Sequence, residues 1–241
     1  MSPTDPLDPL TPLDVALRTI TTRCTARGLD LHAATTVGAY NALVEPPFHL
    51  PGAADRAVAV VGNTGAMWPH VEQLVHRYTH LTDPVDAHVA RVVLAAVSGL
   101  RVDVIDVRFS HEEPPRRVAI QRLADVAGLA WLAPSHLCVH PEYGPWIALR
   151  AAVVLDAPGP ASTPAAPTCD CSTGCLPALE RALAAGEPTN GDELRDHWLL
   201  WLAMRDACPL GHDHRYDDEQ IRYHYVGERP PGWPPLDTVG P

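Results

Sequence analysis

Residues 146–155 constrain this chain more than any other segment. They are apolar except for Arg150, and a run of that length without polar alternation reads as a strand buried on both faces, hence central in its sheet. Counted by period two, Trp146, Ala148 and Arg150 share one face, and Ile147, Leu149 and Ala151 the other. With the second set toward the core, the first opens onto a cavity or a partner. A guanidinium beside an indole and a small residue suits an anionic, planar or bulky ligand; a half-exposed strand with one solvent-facing arginine is the plainer alternative. Residues 137–140 read as a preceding strand and 141–144 as a turn, so a hairpin with 146–155 is expected.

Helical spacing and capping chemistry place helices over residues 11–27, 71–79, 84–98, 117–132, 176–185 and 192–207. Thr11 and Asp83 are the expected caps of the first and third, and Gly28 stops the first. Gly128 leaves room for another element to approach the fourth. Extended segments are expected at 33–40, 56–61 and 101–107. Residues 157–168, rich in Pro, Ala and Ser, read as a surface connector, and 226–241 as a proline-rich tail without a packing pattern. The fold class that follows is α+β with a C-terminal helical segment, in one domain over 1–225.

A net charge of −11 argues against nonspecific nucleic-acid binding, which needs phosphate-neutralising basic surface, and against anionic membranes. All 18 basic residues are arginine, so every permanent side-chain cation is a guanidinium. No apolar run is long enough to span a bilayer, and the first residues lack the pattern of a signal peptide. A cytoplasmic location is expected. Gly62-Asn63-Thr64-Gly65 has the spacing of neither nucleotide-binding fingerprint.

In a reducing compartment six cysteines do not suggest a disulfide framework. Cys169, Cys171 and Cys175 place three thiols in one short segment, with Gly174 giving backbone freedom, and Cys208 before Pro209 is a candidate fourth ligand. Tetrahedral zinc and an iron–sulfur cluster both fit this donor set, His212 or His214 being able to replace one thiolate; chance clustering is the alternative. His140, before Pro141, reads equally as ligand, proton carrier or hydrogen-bonded turn residue.

A longer pattern runs through the chain: Tyr40-Asn41-Ala42-Leu43, Phe48-His49-Leu50-Pro51, Leu81-Thr82-Asp83-Pro84-Val85-Asp86, Val126-Ala127-Gly128, Cys138-Val139-His140-Pro141, Gly144, Trp146, Arg150, Arg205-Asp206-Ala207, Arg215-Tyr216 and Glu219-Gln220. In this order it resembles the CblC family of methylmalonic aciduria and homocystinuria type C, from about Tyr40 to Tyr225. The resemblance implies a flavin-nitroreductase-like α+β fold that binds cobalamin base-off and removes its upper axial ligand. Cyanide would leave reductively with a reduced flavin (FMN or FAD), and alkyl groups by attack of a small thiol, glutathione or a bacterial equivalent. A non-catalytic cobalamin carrier and a flavin- or metal-dependent oxidoreductase reusing the fold are the alternatives, and a homodimer is a possible assembly.

By the same resemblance Arg150 and Arg205 match arginines associated with the thiol, whose carboxylates favour bidentate partners, and Tyr216 a tyrosine close to the site. Arg229 is a weaker match to a third arginine. Cys138, Val139, His140, Pro141, Gly144 and Trp146 match the segment lining the corrin pocket, with Asp125 and Gly128 nearby. Asp125 stands where better-known members carry histidine, and Pro145 replaces a glycine. The cysteine set is absent from the animal members and is expected to hold an iron–sulfur cluster or zinc.

Overall fold

The computed structural model describes residues 10–165, 168–169, 171–185 and 195–235. Four strands, β1 (Leu31–Thr36), β2 (Arg56–Asn63), β3 (Val104–Phe109) and β6 (Ala148–Pro158), form an antiparallel sheet of order β1-β2-β6-β3. A second, two-stranded sheet pairs β4 (Trp131–Leu132) with β5 (Cys138–Val139).

β6 is the central strand that its apolar run predicts, with β2 on one edge and β3 on the other, and residues 151–155 are fully buried. On one face Ala151, Val153 and Leu155 join Ala57, Ala59 and Val61 under α1 (Pro12–Thr25), α3 (Trp68–Arg77) and α4 (Pro84–Val97). On the other, Ala152 and Val154 join Val58 and Val60 under α2 (Val37–Asn41) and α5 (Ile120–Val126). Removing both faces from water is the main stabilising term of this core. The helices start where capping chemistry puts them: Thr11 and Asp14 make a reciprocal capping box, and Asp83 accepts from the Asp86 amide at 3.0 Å.

One break in the alternation corrects the period-two reading. Val61 lies opposite Ala151 but Gly62 opposite Leu149, so Arg150 is the extra residue of a β-bulge. Beyond the bulge the faces exchange, and Ile147 and Leu149 lie in the α2/α5 core with Ala152 and Val154, apart from Ala151.

The expected hairpin is also corrected. β5 pairs with β4 because both edges of β6 are taken, and the turn closes on itself through His140–Gly144 backbone bonds of 2.8 and 2.9 Å. Residues 33–40 divide at Thr36, whose hydroxyl caps α2 by accepting from the Ala39 amide. The helix expected over 117–132 shortens to α5. Gly128 turns left-handed (φ +71°), and the Asp125 carboxylate accepts from the Leu132 amide at 3.0 Å, which starts β4. Of the connector, Ala157 and Pro158 extend β6, the backbone at Pro164 packs against Gly128, and residues 166–167 lie outside the described ones.

Two further helices, α6 (Cys175–Ala184) and α7 (Trp198–Asp206), pack on each other and on β4 and β5, the start of the helix expected over 192–207 lying outside the described residues. The last helix is α8 (Asp218–Val226). The tail does pack. Trp233 stacks on Trp68 with ring centroids 5.2 Å apart because a buried indole there covers the open end of the α1/α3/α4 core; residues 236–241 are not described.

Within that core His88 is buried. Its Nε2 faces the Arg27 carbonyl at 2.9 Å and its Nδ1 has no partner. Burial pulls its pKa below the ordinary 6.5. The unfolded chain therefore takes up a proton that the folded chain refuses, so stability falls as pH drops below about 6.5. A melting curve at pH 7.5 and at pH 5.5 is expected to show a lower midpoint in acid, and His88→Leu is expected to reduce that difference.

Candidate functional site

Arg150 occupies the bulge at the start of β6, where its Nε donates to Asn63 Oδ1 at 2.7 Å. Asn63, at the end of β2, is fully buried, and its Nδ2 donates to the Thr64 carbonyl. Thr64 is held in turn by Asp30 through its amide at 2.8 Å and its hydroxyl at 2.6 Å. Segment 62–65 thus aims the guanidinium at one end of the sheet. Burial lowers the Arg150 pKa, and the charges of Asp86 and Asp83 oppose that shift; an arginine stays charged throughout.

From the opposite side α7 supplies Arg205, whose guanidinium lies 5.7 Å from the Trp146 ring and 6.0 Å from the Tyr225 ring. Trp146 is fully buried, flanked by Arg205 and by Arg215 at 5.5 Å, with Tyr216 edge-on at 5.6 Å. Arg215 is neutralised by Asp206 and Asp218 at 2.9 and 3.2 Å. Arg150 and Arg205 have no carboxylate within ion-pair distance among the described residues.

Ala148, Arg150, Arg205, Tyr216, His224 and Tyr225 line an open cavity of about 280 Å³. The Tyr216 hydroxyl is buried without a partner. Burial raises its pKa against the pull of the two arginines, so it is a protonated phenol free to donate. His224 is held below the usual histidine range by partial enclosure and then by Arg150 and Arg205, so at neutral pH both its ring and the phenol are uncharged. The cavity therefore holds two cations, an orphaned hydroxyl and no anion among its lining residues, which is an anion-binding arrangement.

A second cavity of about 320 Å³ shares Ala148 and Arg205 with the first and is walled by Leu137, Cys138, Ile147 and Leu149. Burial, and then the charge of Asp125, push the Cys138 thiol up to about 12, so it is no nucleophile at neutral pH.

The structure thus gathers Arg150, Arg205 and Tyr216, with Cys138 beside them. Other candidates support the site without facing either cavity. Val139 packs in the core around the cysteines, Pro141 is exposed, and Asp125 and Gly128 shape the turn after α5. His140 Nδ1 accepts from the Glu142 and Tyr143 amides at 3.1 and 3.3 Å, which places its proton on Nε2. Arg229 reaches the Leu81 and Pro234 carbonyls and secures the tail. His214 packs edge-on against Tyr143 at 4.7 Å. Asn63, His224 and Tyr225 were missed in sequence, and their only signal there is the Gly62–Gly65 turn and an aromatic-rich last helix.

The region from Gly28 to Val226 matches the model of the methylmalonic aciduria and homocystinuria type C family over residues 28–226. The chain belongs to that family. A bovine relative, named cyanocobalamin reductase / alkylcobalamin dealkylase, is 30% identical over 207 residues, covering 76% of this chain and 69% of its own. A B12-trafficking CblC from C. elegans superposes with a TM-score of 0.69 at 17% identity, over 90% of this chain and 94% of that one. An epoxyqueuosine reductase from Bacillus subtilis shares the fold more distantly, with a TM-score of 0.52 at 13% identity over 90% and 76% of the two chains. The α+β, flavin-nitroreductase-like fold is thereby the fold of this chain.

Within this member of the family, two glycines hold the site closed. Gly144 (φ +56°) and Gly211 (φ +74°) meet backbone to backbone, and a Cβ on either would strike the Leu210 or the Tyr143 carbonyl. That contact clamps the 140–146 turn to the loop leading to Tyr216. Gly144→Ala combines a strained dihedral with this collision and is expected to cost at least about 1–3 kcal/mol. Denaturant unfolding is expected to show the loss, accompanied by weaker ligand binding at the arginine cavity.

Proposed function

We propose that this chain binds cobalamin base-off and removes its upper axial ligand, by reductive decyanation and by thiol-dependent dealkylation. Family membership and the activity named for the bovine relative support the reaction class. The observation that carries the thiol reading is the cavity with Arg150 and Arg205, two guanidiniums without counter-ions among the described residues, beside an unpartnered phenol.

Each cavity is far smaller than a corrinoid and lies near or below the roughly 300–1,000 Å³ of ordinary ligand pockets. The corrin ring is therefore assigned to the mouth shared by the two cavities at Ala148, where the small methyl side chain leaves room. The second cavity, where Leu137, Ile147 and Leu149 stand beside Gln121, suits the displaced benzimidazole, and the arginine cavity suits a small thiol carrying carboxylates. Arg150 and Arg205 clamp those carboxylates, and Tyr216 donates its free hydroxyl. Their positive field favours the thiolate over the thiol. Holding that sulfur in line with the alkyl carbon converts a collision into a positioned displacement, in which the cobalt–carbon electron pair stays on cobalt. Decyanation needs electrons from outside, and these are assigned to an external reduced flavin.

The test is direct. With methylcobalamin, the purified protein is expected to give the base-off absorbance band and, on adding glutathione, to lose the methyl group. Arg150→Ala and Arg205→Ala are each expected to lower kcat/KM for the thiol roughly 10–100-fold, the equivalent of one charge-assisted contact, while the base-off band persists. Binding without ligand removal in the wild type would mark a carrier, and unchanged dealkylation in both variants would overturn the clamp.

A further inference from the structure

The proposed chemistry leaves four thiols unused, although the fold collects them. Cys171, Cys175 and Cys208 are buried and Cys169 is half-buried, in a small core between α6 and α7 that also holds Ala133, Val139 and Met204. All are reduced. The cluster is braced on the segment that carries Arg205, because the Cys208 amide donates to the Arg205 carbonyl at 3.1 Å and Gly174 abuts the Ala207 carbonyl.

The donor types suit zinc or an iron–sulfur cluster, as their spacing suggests, but their arrangement does not. A metal ion requires its ligands to surround one point, and among the described residues no group of three or more His, Cys, Asp and Glu side chains does so. The structure instead puts the sulfurs of Cys169 and Cys171 at 3.4 Å, with Cys175 on the inner side of Cys171 as its other thiol neighbour. That separation is inside the roughly 3.8 Å edge set by four thiolates at about 2.3 Å from a zinc ion. The two sulfurs also already face each other, as a disulfide between them requires.

We propose that Cys169 and Cys171 form a reversible dithiol–disulfide pair whose substrate is a low-molecular-weight disulfide. Cys169, the more accessible of the two, attacks as thiolate; the small disulfide's S–S bond breaks, one thiolate leaves, and a mixed disulfide remains on Cys169. Cys171 then gives up its proton and displaces the second small thiol, closing the Cys169–Cys171 bond. In sum one small disulfide is reduced to two thiols and two protein thiols are oxidised. The order follows from access. Cys171 is buried and Cys169 is not, so Cys171 acts second, once the mixed disulfide is held against it.

This deepens the proposed use of a small thiol and rests on that reading only for its consequence: the thiol/disulfide couple of the co-substrate would be sensed at the far side of α7, the helix bearing Arg205. The exchange itself is tested without cobalamin. Full-length protein is equilibrated with glutathione at graded reduced-to-oxidised ratios, trapped with an alkylating agent and digested for mass spectrometry. The expected result is an intact Cys169–Cys171 bond that rises and falls with the ratio, while Cys24 and Cys138 stay alkylatable after unfolding. Cys171→Ser is expected to stop at a glutathione adduct on Cys169, and Cys169→Ser to form neither product; circular dichroism checks that both fold. Should Cys171→Ser not fold, the wild-type titration still decides. A pair that stays reduced at every ratio, a bond formed to Cys175 or Cys208 in its place, or one equivalent of zinc or iron shielding the cysteines would overturn the proposal. Failure of dealkylation with a normal titration would count against the cobalamin reading alone.

Discussion

The hydrogen bond from Arg150 to buried Asn63 is the contact around which the functional end of the sheet is arranged. A guanidinium cannot lie within a strand buried on both faces unless its charge is solvated by partners. The bulge meets that requirement by pushing Arg150 out of the ladder at the point where β2 ends in a polar turn. Asn63 solvates one nitrogen, and Thr64 and Asp30 fix the turn. The rest of the guanidinium is left to face the cavity. The same irregularity exchanges the faces of β6, which keeps Ile147 and Leu149 in the α2/α5 core and leaves Ala148 as the small residue at the cavity mouth.

A second requirement is that Arg205 and Tyr216 meet Arg150 from segments far away in the chain. Trp146 provides the common surface. Arg205, Arg215 and Tyr216 all pack on its ring, and the Gly144–Gly211 contact brings the two backbones close enough for that packing to occur. Desolvation then does the electrostatic work: with the phenol of Tyr216 and the ring of His224 both neutral, two unneutralised cations define the cavity's preference for an anion. Membership of a family whose relatives are named for cobalamin chemistry is the reason a corrinoid, and not a nucleotide phosphate, is proposed beside that cavity.

Much of this was legible in sequence where the determining physics is local. Asp83 and Thr11 announce helix starts because capping is a short-range interaction, and residues 151–155 announce a central strand because burial on both faces leaves no polar alternation. The identity of Arg150, Arg205 and Tyr216 as a set came through the family pattern. The roles of Val139, Asp125, Gly128 and Gly144 did not separate from those of true lining residues. All of them lie in the same pattern, and only contacts with Leu132, Pro164 and Leu210 distinguish support from lining.

By itself, then, the chain's order of residues determined the elements, the central place of β6, the family and the charged residues available to an anionic ligand, because periodicity, caps and motif spacing are local properties. The tertiary structure decided the rest. It broke the period at Arg150, since only pairing with β2 reveals the extra residue. It paired β5 with β4 instead of β6, since β3 already held the free edge. It gave Trp233 a place against Trp68, and it drew Cys169 and Cys171 to contact without setting four sulfurs around a point, because the spacing of thiols along a chain does not specify the directions in which they face.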